Sequence, residues 1–293
     1  MNNAVNALIS RRLFMKAVGH KLPRNRRVPR PLQPTGLERE YYSDILKLIE
    51  PAFFEIREKL VPAIPEILRI RSEEIRTDGI KLDAIRGYAE LITRTISDVR
   101  VGISKQITIE TIQGQANGMA YKVNSFNKVQ FNKQFQSVLG INPLLSERWL
   151  EPLVSSFTET NVGLIKSIPE QFLGKVEQMV RATVERGVST EALTGQIFDE
   201  FDVTRSRAHL IARDQVSKFN SSLHEVRQKS AGVTKYIWST SRDERVRPRH
   251  AAMDGKTVSW DDPPPVGNNG ERLHVGQDFQ CRCVSLPQLD EFL

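Results

Sequence analysis

Cysteine is scarce in this chain: 293 residues include only Cys281 and Cys283. Because one residue separates them, they cannot close an unstrained disulfide with each other, which excludes a disulfide-stapled scaffold. Long apolar runs are also missing, since no stretch approaches the roughly 18 residues of a membrane span. The run 4–13 is too short and too polar for the core of a signal peptide. We therefore expect a protein that is made and kept in a reducing compartment such as the cytoplasm.

Catalytic motifs are missing as well. The chain contains no glycine-rich phosphate cradle, no His-Glu-x-x-His pair and no nucleophile elbow. One set of residues is suited to catalysis, because His250 with Asp243 and Asp254 has the residue types of a metal-dependent nuclease. Asp and His in turns, however, more often stabilise the turn itself. The sequence therefore favours a protein that is not an enzyme, with a metal-dependent nuclease as the alternative.

Acidic residues are absent from the first 37 positions. This segment carries eight basic residues: Arg11, Arg12, Lys16, Lys21, Arg24, Arg26, Arg27 and Arg30. The other residues hold 34 basic and 35 acidic side chains, so the excess positive charge of the whole chain lies in this segment. Its prolines disfavour helix, and we predict a basic flexible arm whose cations bind the phosphates of double-stranded DNA. A solvated tail or a segment for protein contacts is the alternative.

Helical periodicity dominates the middle of the chain. Apolar residues recur at steps of three and four over 85–103, which predicts a helix with one buried face. Pro62 and Pro65 are expected to break an earlier helix, and the stretch 114–140 carries a weaker helical pattern. Turn residues at 77–79 predict the end of the first helical unit.

Three helices are predicted in close succession further along the chain. Pro169 is expected to begin the first, and Gly187 is a suitable C-cap for it. Ser189 is expected to cap the second helix. A short link at 201–203 then leads to a third helix that begins at Thr204 and stops at Gly232.

The residue types change after position 232, where β-branched and aromatic residues at 233–240 predict a strand. Asp254-Gly255 is a tight-turn signal, and short strands are expected at 256–260 and 281–286. The predicted fold is mainly α, with extended helical N-terminal and middle regions and a small α+β C-terminal domain. We divide the chain into an arm (1–37), two helical regions (38–140 and 141–231) and a C-terminal unit (232–293).

Four metal-ligand residues occur in this C-terminal unit: His250, His274, Cys281 and Cys283. Four ligands of these types form a closed tetrahedral site for structural zinc, which would staple a small, loop-rich unit. Their spacing is not the common arrangement of two Cys-x-x-Cys pairs. The alternative is that both histidines are surface or capping residues and both cysteines are buried small hydrophobes.

The order of several short motifs resembles the Mu F-like minor head proteins of tailed phages, also called phage head morphogenesis proteins. The resemblance covers about residues 145 to 288. It is carried by NVGLIKSIPE (161–170), GVSTE (187–191), Ile211-Ala212-Arg213 with Asn220, Gly232 before Tyr236-Ile237-Trp238, Asp243, RVRPRH (245–250), Asp254-Gly255, His274 and Cys281-Arg282-Cys283.

This resemblance implies an assembly role without enzymatic activity. The alternatives are a metal-dependent nuclease and a DNA-binding module whose C-terminal unit is stabilised by zinc. The implied protein is a low-copy component of the virion, inside the capsid near the portal vertex, that is assembled in the host cytoplasm and has a role in DNA ejection. Its implied partners are the portal protein and packaged DNA, with major capsid or scaffolding protein as further candidates. Many relatives have a Cys-x-x-Cys pair where this sequence has Arg247 to His250, so one ligand of such a site would be absent here and His274 would replace it.

Overall fold

The computed structural model describes residues 27–76, 87–140, 142–143, 146–186 and 189–289, and it is mainly helical. Its helices are α1 (Thr35–Glu55), α2 (Val61–Arg76), α3 (Gly87–Gln106), α4 (Ile109–Leu139), α5 (Leu150–Arg186), α6 (Thr190–Ser230) and the short α7 (Pro248–Ala251). Three strands follow α6: β1 (Lys235–Ser239), β2 (Thr257–Ser259) and β3 (Val284–Pro287). The predicted fold class, mainly α with a small α+β domain at the C-terminal end, is confirmed.

Three predicted breaks in the helices are wrong. Residues 55–61 continue from α1 to α2 through a π-helical turn, Ile56–Leu60, in which the Val61 amide donates to the Ile56 carbonyl. This wider turn comes just before Pro62, where a proline ring would crowd the carbonyl of an ordinary turn. Pro169 lies inside α5, and residues 201–203 lie inside α6. The predicted ends at 77–79 and Gly187 lie outside the described residues.

The chain forms two compact units. Unit 1 takes the described parts of Met1–Arg39, Asn117–Phe157 and Arg213–Leu293, and unit 2 takes those of Glu40–Ala116 and Thr158–Ala212. The predicted stripe of α3 is confirmed as the buried face of unit 2, where it packs against apolar residues of α2 and α5; the stripe consists of Ile92, Ile96, Val99 and Ile103. No helix in the described part of the chain is long and apolar enough to cross a membrane.

The sheet of unit 1 is antiparallel, with the order β2-β1-β3. Tyr236 pairs with Val258 on one side of β1, and Ile237 pairs with Leu286 on the other. The turn before β2 is tight because Gly255 adopts a φ of 78°, and the Gly255 amide donates to the Trp238 carbonyl. Alternate side chains of β1, Tyr236 and Trp238, are fully buried in the apolar cluster of this unit, which also contains both cysteines.

Candidate metal centre

Folding brings three of the four predicted metal ligands together. The imidazole Nδ1 of His250 lies 3.5 Å from the Cys281 Sγ and 3.6 Å from the Cys283 Sγ. All three side chains are buried, and their potential ligand atoms lie within 4.8 Å of one another. The described residues therefore contain a cluster of one nitrogen and two sulfurs that is able to hold a metal ion.

Each ligand is placed by a short structured segment. His250 lies on α7, which begins after the extended Arg247 and has Pro248 in its first turn, where a missing amide hydrogen costs nothing. The two cysteines stand just before β3 with one residue between them, and side chains two residues apart in an extended chain point to the same side. The Cys283 amide also faces the Cys281 Sγ at 3.4 Å. These local rules aim both sulfurs at the His250 ring.

The distances fit a tetrahedral zinc ion. Zinc binds thiolate sulfur at about 2.3 Å and imidazole nitrogen at about 2.0–2.1 Å, so a tetrahedral angle separates nitrogen and sulfur ligands by roughly 3.6 Å. The two observed separations from the His250 Nδ1 are 3.5 and 3.6 Å. Two thiolates and one imidazole are also the donor types that zinc prefers. The cluster would fill three of the four positions around such an ion.

The two thiols share their protons unequally. The hydrogen bond from the Cys283 thiol lowers the pKa of Cys281, although burial opposes the shift. The same contact with Cys281, reinforced by burial, raises the pKa of Cys283. One thiolate is therefore favoured at this site before any metal binds. Since cysteine binds a metal only as thiolate, binding would displace the remaining proton.

The fourth predicted ligand, His274, is not part of this group. It is buried among the aromatic residues of unit 1, with its Nδ1 3.1 Å from the Tyr236 hydroxyl and its ring edge-on to Trp260 at 4.9 Å. Burial lowers the pKa of His274, which favours its neutral form. Burial also raises the pKa of Tyr236, so its hydroxyl keeps the proton. The structure thus gives His274 a packing role.

The two carboxylates that the nuclease alternative requires form hydrogen bonds and ion pairs with nearby residues. The Asp254 carboxylate accepts the Thr240 amide at 2.8 Å and pairs with Arg242, which lowers its pKa. Asp243 accepts the Arg245 amide at 3.2 Å and pairs with Arg282 at 2.7 Å. Both carboxylates therefore hold turns and neighbouring arginines, as such residues commonly do.

The predicted DNA-binding cations are only partly described. Arg11, Arg12, Lys16, Lys21, Arg24 and Arg26 lie outside the described residues. Arg27 and Arg30 are both exposed, and Arg30 donates from Nη1 to the Thr240 carbonyl, just after β1.

Residues 27–34, which belong to the predicted arm and precede α1, contact other segments of unit 1. The Gln33 side chain donates to the Arg282 carbonyl at 2.9 Å, the Leu32 amide donates to the Gln130 side chain at 3.1 Å, and Val28 packs on an apolar cluster. We call this segment the arm root.

Sequence reasoning missed several buried charged residues of unit 1, among them Asp278 and Arg227. Asp278 lies beside His250, with its Oδ2 3.1 Å from the His250 Nε2. Arg227 is fully buried and pairs with Glu147 at 2.9 Å. Neither residue stands out in the sequence, because Asp in a loop and Arg on a helix are usually solvated. The one local hint for Asp278 is that Cys281 and Cys283, both potential metal ligands, follow it three and five residues later.

Comparisons with known proteins extend these observations. Residues 174–286 match the family model of phage Mu protein F like proteins. An uncharacterized protein of Haemophilus influenzae is 33% identical over 217 residues, which cover 71% of this chain and 46% of that protein. The chain therefore spans less than half the length of this relative. No solved structure matches. The family match contains all four predicted metal ligands and confirms the resemblance over these residues.

Proposed function

Because residues 174–286 belong to the phage Mu protein F like family, we propose that the protein is a minor head protein that acts in phage head morphogenesis. In this proposal it lies inside the capsid near the portal vertex, after assembly in the host cytoplasm, and takes part in DNA ejection. The family match is the observation that carries the proposal. The engagement of Asp243 and Asp254 in turns supports a structural role over the nuclease alternative.

The division of charge between the units supports a contact with packaged DNA through unit 1. The sequence ranges of unit 1 contain 25 basic and 14 acidic residues, whereas those of unit 2 contain 17 basic and 21 acidic residues. Unit 1 therefore carries net +11 and unit 2 carries net −4. A polyanion is attracted to the first and repelled by the second, and each phosphate that a Lys or Arg neutralises releases counterions.

The DNA contact is tested by neutralising the part of the arm that precedes the arm root. Replacing the six basic residues of 1–26 by Gln keeps the chain length and leaves the contacts of Arg30 and Gln33 in place. The slope of log K against log salt should become shallower by about 0.9 for each lost phosphate contact, and by about 5 if all six bind. Binding of a short DNA duplex is measured over a salt series. An unchanged slope would place the DNA contacts elsewhere.

We propose that unit 2 contacts the portal protein. An apolar pocket of about 360 Å³ opens there beside the π-helical turn, and two of its aromatic residues, Phe54 and Phe198, are 52% and 51% exposed. Exposed aromatic side chains beside an apolar pocket are typical of protein interfaces. An interface of this kind gains little from long-range charge, so we expect it to survive moderate salt.

Co-sedimentation with assembled portal rings tests this assignment. Phe198→Ser should weaken co-sedimentation, whereas Val129→Ser, which changes an apolar residue of unit 1 with 62% exposure, should not. The six-Gln arm variant should co-sediment as the wild type does. Failure of the wild-type protein to co-sediment at a low excess would overturn the portal assignment. Divalent-ion-dependent cleavage of plasmid DNA that His250→Ala abolishes would instead establish the nuclease.

We also propose that His250, Cys281 and Cys283 bind one structural zinc ion, which staples the C-terminal part of unit 1. Structural zinc stabilises a fold because its binding free energy is part of the folding free energy. Purified protein should contain close to one zinc per chain, and Cys281→Ser should lower both the zinc content and the melting temperature. His274→Gln serves as the matched control, because His274 lies outside the cluster, and it should retain the zinc. Metal-free protein whose melting is indifferent to a chelator would favour inert, buried cysteines.

A further inference from the structure

A buried carboxylate lies on the far side of the His250 ring from the cysteines. While Nδ1 faces both sulfurs, Nε2 lies 3.1 Å from the Asp278 Oδ2. His250 is 2% exposed and Asp278 is 9% exposed. Among the described residues, neither of these two buried atoms makes a hydrogen bond of ordinary geometry, even with the other. The Asp278 carboxylate is nevertheless within ion-pair distance of Nε2, so a small rotation of either side chain would align an Nε2–H···Oδ2 hydrogen bond.

This placement decides which ring nitrogen carries the proton. A neutral imidazole binds a metal through its unprotonated nitrogen, and the other nitrogen then holds the hydrogen. An acceptor beside Nε2 stabilises the tautomer whose free lone pair is on Nδ1, where the two sulfurs lie. A carboxylate that accepts from a ligand histidine also fixes the orientation of the ring and makes the ligand more basic. The His250 and Trp238 rings also pack edge to face, with their centres 5.5 Å apart, and this contact restricts the His250 ring from another direction.

The carboxylate is itself held from both oxygens. Its Oδ1 accepts the Phe279 amide at 2.7 Å, and its Oδ2 lies 3.3 Å from the Arg247 Nη1. The Arg247 Nη2 donates to the Phe279 carbonyl at 2.7 Å, so the guanidinium is fixed relative to the same segment. Arg247, Asp278 and Phe279 thus form a connected set of contacts beside the Nε2 edge of the imidazole.

The charges of this arrangement balance when a divalent ion is bound. Two thiolates neutralise the ion, the imidazole is neutral, and Arg247 neutralises Asp278. Burial of an uncompensated charge is costly, whereas a paired and hydrogen-bonded charge is tolerated. Without Arg247, Asp278 would stand buried beside His250 and the Phe279 amide, with no cation from Arg or Lys within ion-pair distance among the described residues.

We propose that Asp278 is the positioning residue of the metal centre, which orients His250 through Nε2, and that Arg247 holds Asp278 in place. This inference rests on the proposed metal centre. The ligand class is a divalent ion that accepts thiolate and imidazole, with zinc as the probe.

The test is the affinity of the full-length protein for zinc, measured by competition with a chromophoric chelator. Asp278→Asn keeps the size of the side chain and removes its charge, and it should weaken zinc binding by about 10- to 100-fold, the usual effect of losing such a partner. Asp262→Asn is the matched control, because it removes an acid of unit 1 whose carboxylate pairs with Arg272, and it should bind zinc as the wild type does.

Arg247→Gln is the second variant, in case Asp278→Asn does not fold. The Arg247 side chain is 32% exposed, so the change is mild, and it should weaken zinc binding by several-fold while the protein keeps its tryptophan emission. The positioning role alone would be overturned if the wild-type protein binds zinc and the Asp278→Asn and Arg247→Gln variants bind it with an affinity within twofold of the wild type. Wild-type protein that binds no zinc would overturn this inference and the proposed metal centre together.

Discussion

Substitution of Arg227 should strongly destabilise unit 1, because its guanidinium is fully buried and joins three segments of the chain. Its Nη2 lies 2.9 Å from the Glu147 Oε1 and 2.5 Å from the Asn124 Oδ1. Nη1 donates to the Asn127 side chain, and the guanidinium lies 5.4 Å from the centre of the Trp149 ring. Arg227→Met would leave the largely buried Glu147 carboxylate with the Lys128 ammonium, at 3.5 Å, as its one charged partner among the described residues.

The expected loss is about 3–5 kcal/mol in the free energy of unfolding, the usual cost when one partner of a buried ion pair is removed. Lys229→Met is the matched control on the same helix. Lys229 forms an exposed pair with Glu225 four residues away, which contributes only about 0.3–0.5 kcal/mol.

The assay is urea denaturation followed by tryptophan fluorescence. All three tryptophans, Trp149, Trp238 and Trp260, lie in unit 1, so their emission reports the unfolding of that unit. The double variant Arg227→Met with Glu147→Gln should recover part of the loss, because the carboxylate is then no longer left unpaired. A loss below about 1 kcal/mol for Arg227→Met, or strictly additive effects in the double variant, would refute this account of the network.

Two further predictions concern other buried positions. Gly102→Ala should destabilise unit 2 by about 1–3 kcal/mol, because a Cβ there would overlap the buried Glu55 carboxylate, which would have to leave its contacts with Lys59 and Gln106. Gly114→Ala, with open space around it, should instead stabilise by about 0.5–1 kcal/mol in thermal melts followed by circular dichroism. Burial lowers the pKa of His224 from 6.5 in the unfolded chain to about 3 in the folded protein. As the pH falls from 6.5 toward 3, His224 is therefore protonated in the unfolded chain but not in the folded protein, and the free energy of unfolding decreases. His224→Leu should therefore remove a pH-dependent loss of about 2 kcal/mol between pH 8 and pH 5, and an unchanged pH profile would contradict this account.

The sequence alone determined the features that depend on local periodicity and local chemistry. The apolar stripe of α3 follows from a period of three to four residues, and β1 follows from a run of β-branched and aromatic residues. The Ser189 hydroxyl accepts the Ala192 amide at 3.2 Å, as its N-cap position predicts. The charge of the arm is likewise a matter of counting residues.

Tertiary packing decided where local signals compete with burial. Pro169 favours a helix start, but the apolar residues on both sides of it, Ile165, Ile168 and Phe172, are buried. Their burial outweighs the roughly 3 kcal/mol that a proline costs inside a helix. No break at 201–203 was required either, because that stretch contains no glycine or proline and the Thr204 hydroxyl donates back to the Glu200 carbonyl.

The composition of the candidate metal centre also depended on the tertiary structure. The sequence gives no reason to prefer His250 or His274 as a metal ligand. In the folded protein, His250 lies beside the two cysteines, whereas His274 packs against Tyr236 and Trp260. The contact of Asp278 with His250 could not be predicted locally, since His250 lies 28 positions earlier in the chain. Local sequence specifies which residue types are present and which way a short segment turns, whereas the meeting of distant segments is set by the burial of the whole unit.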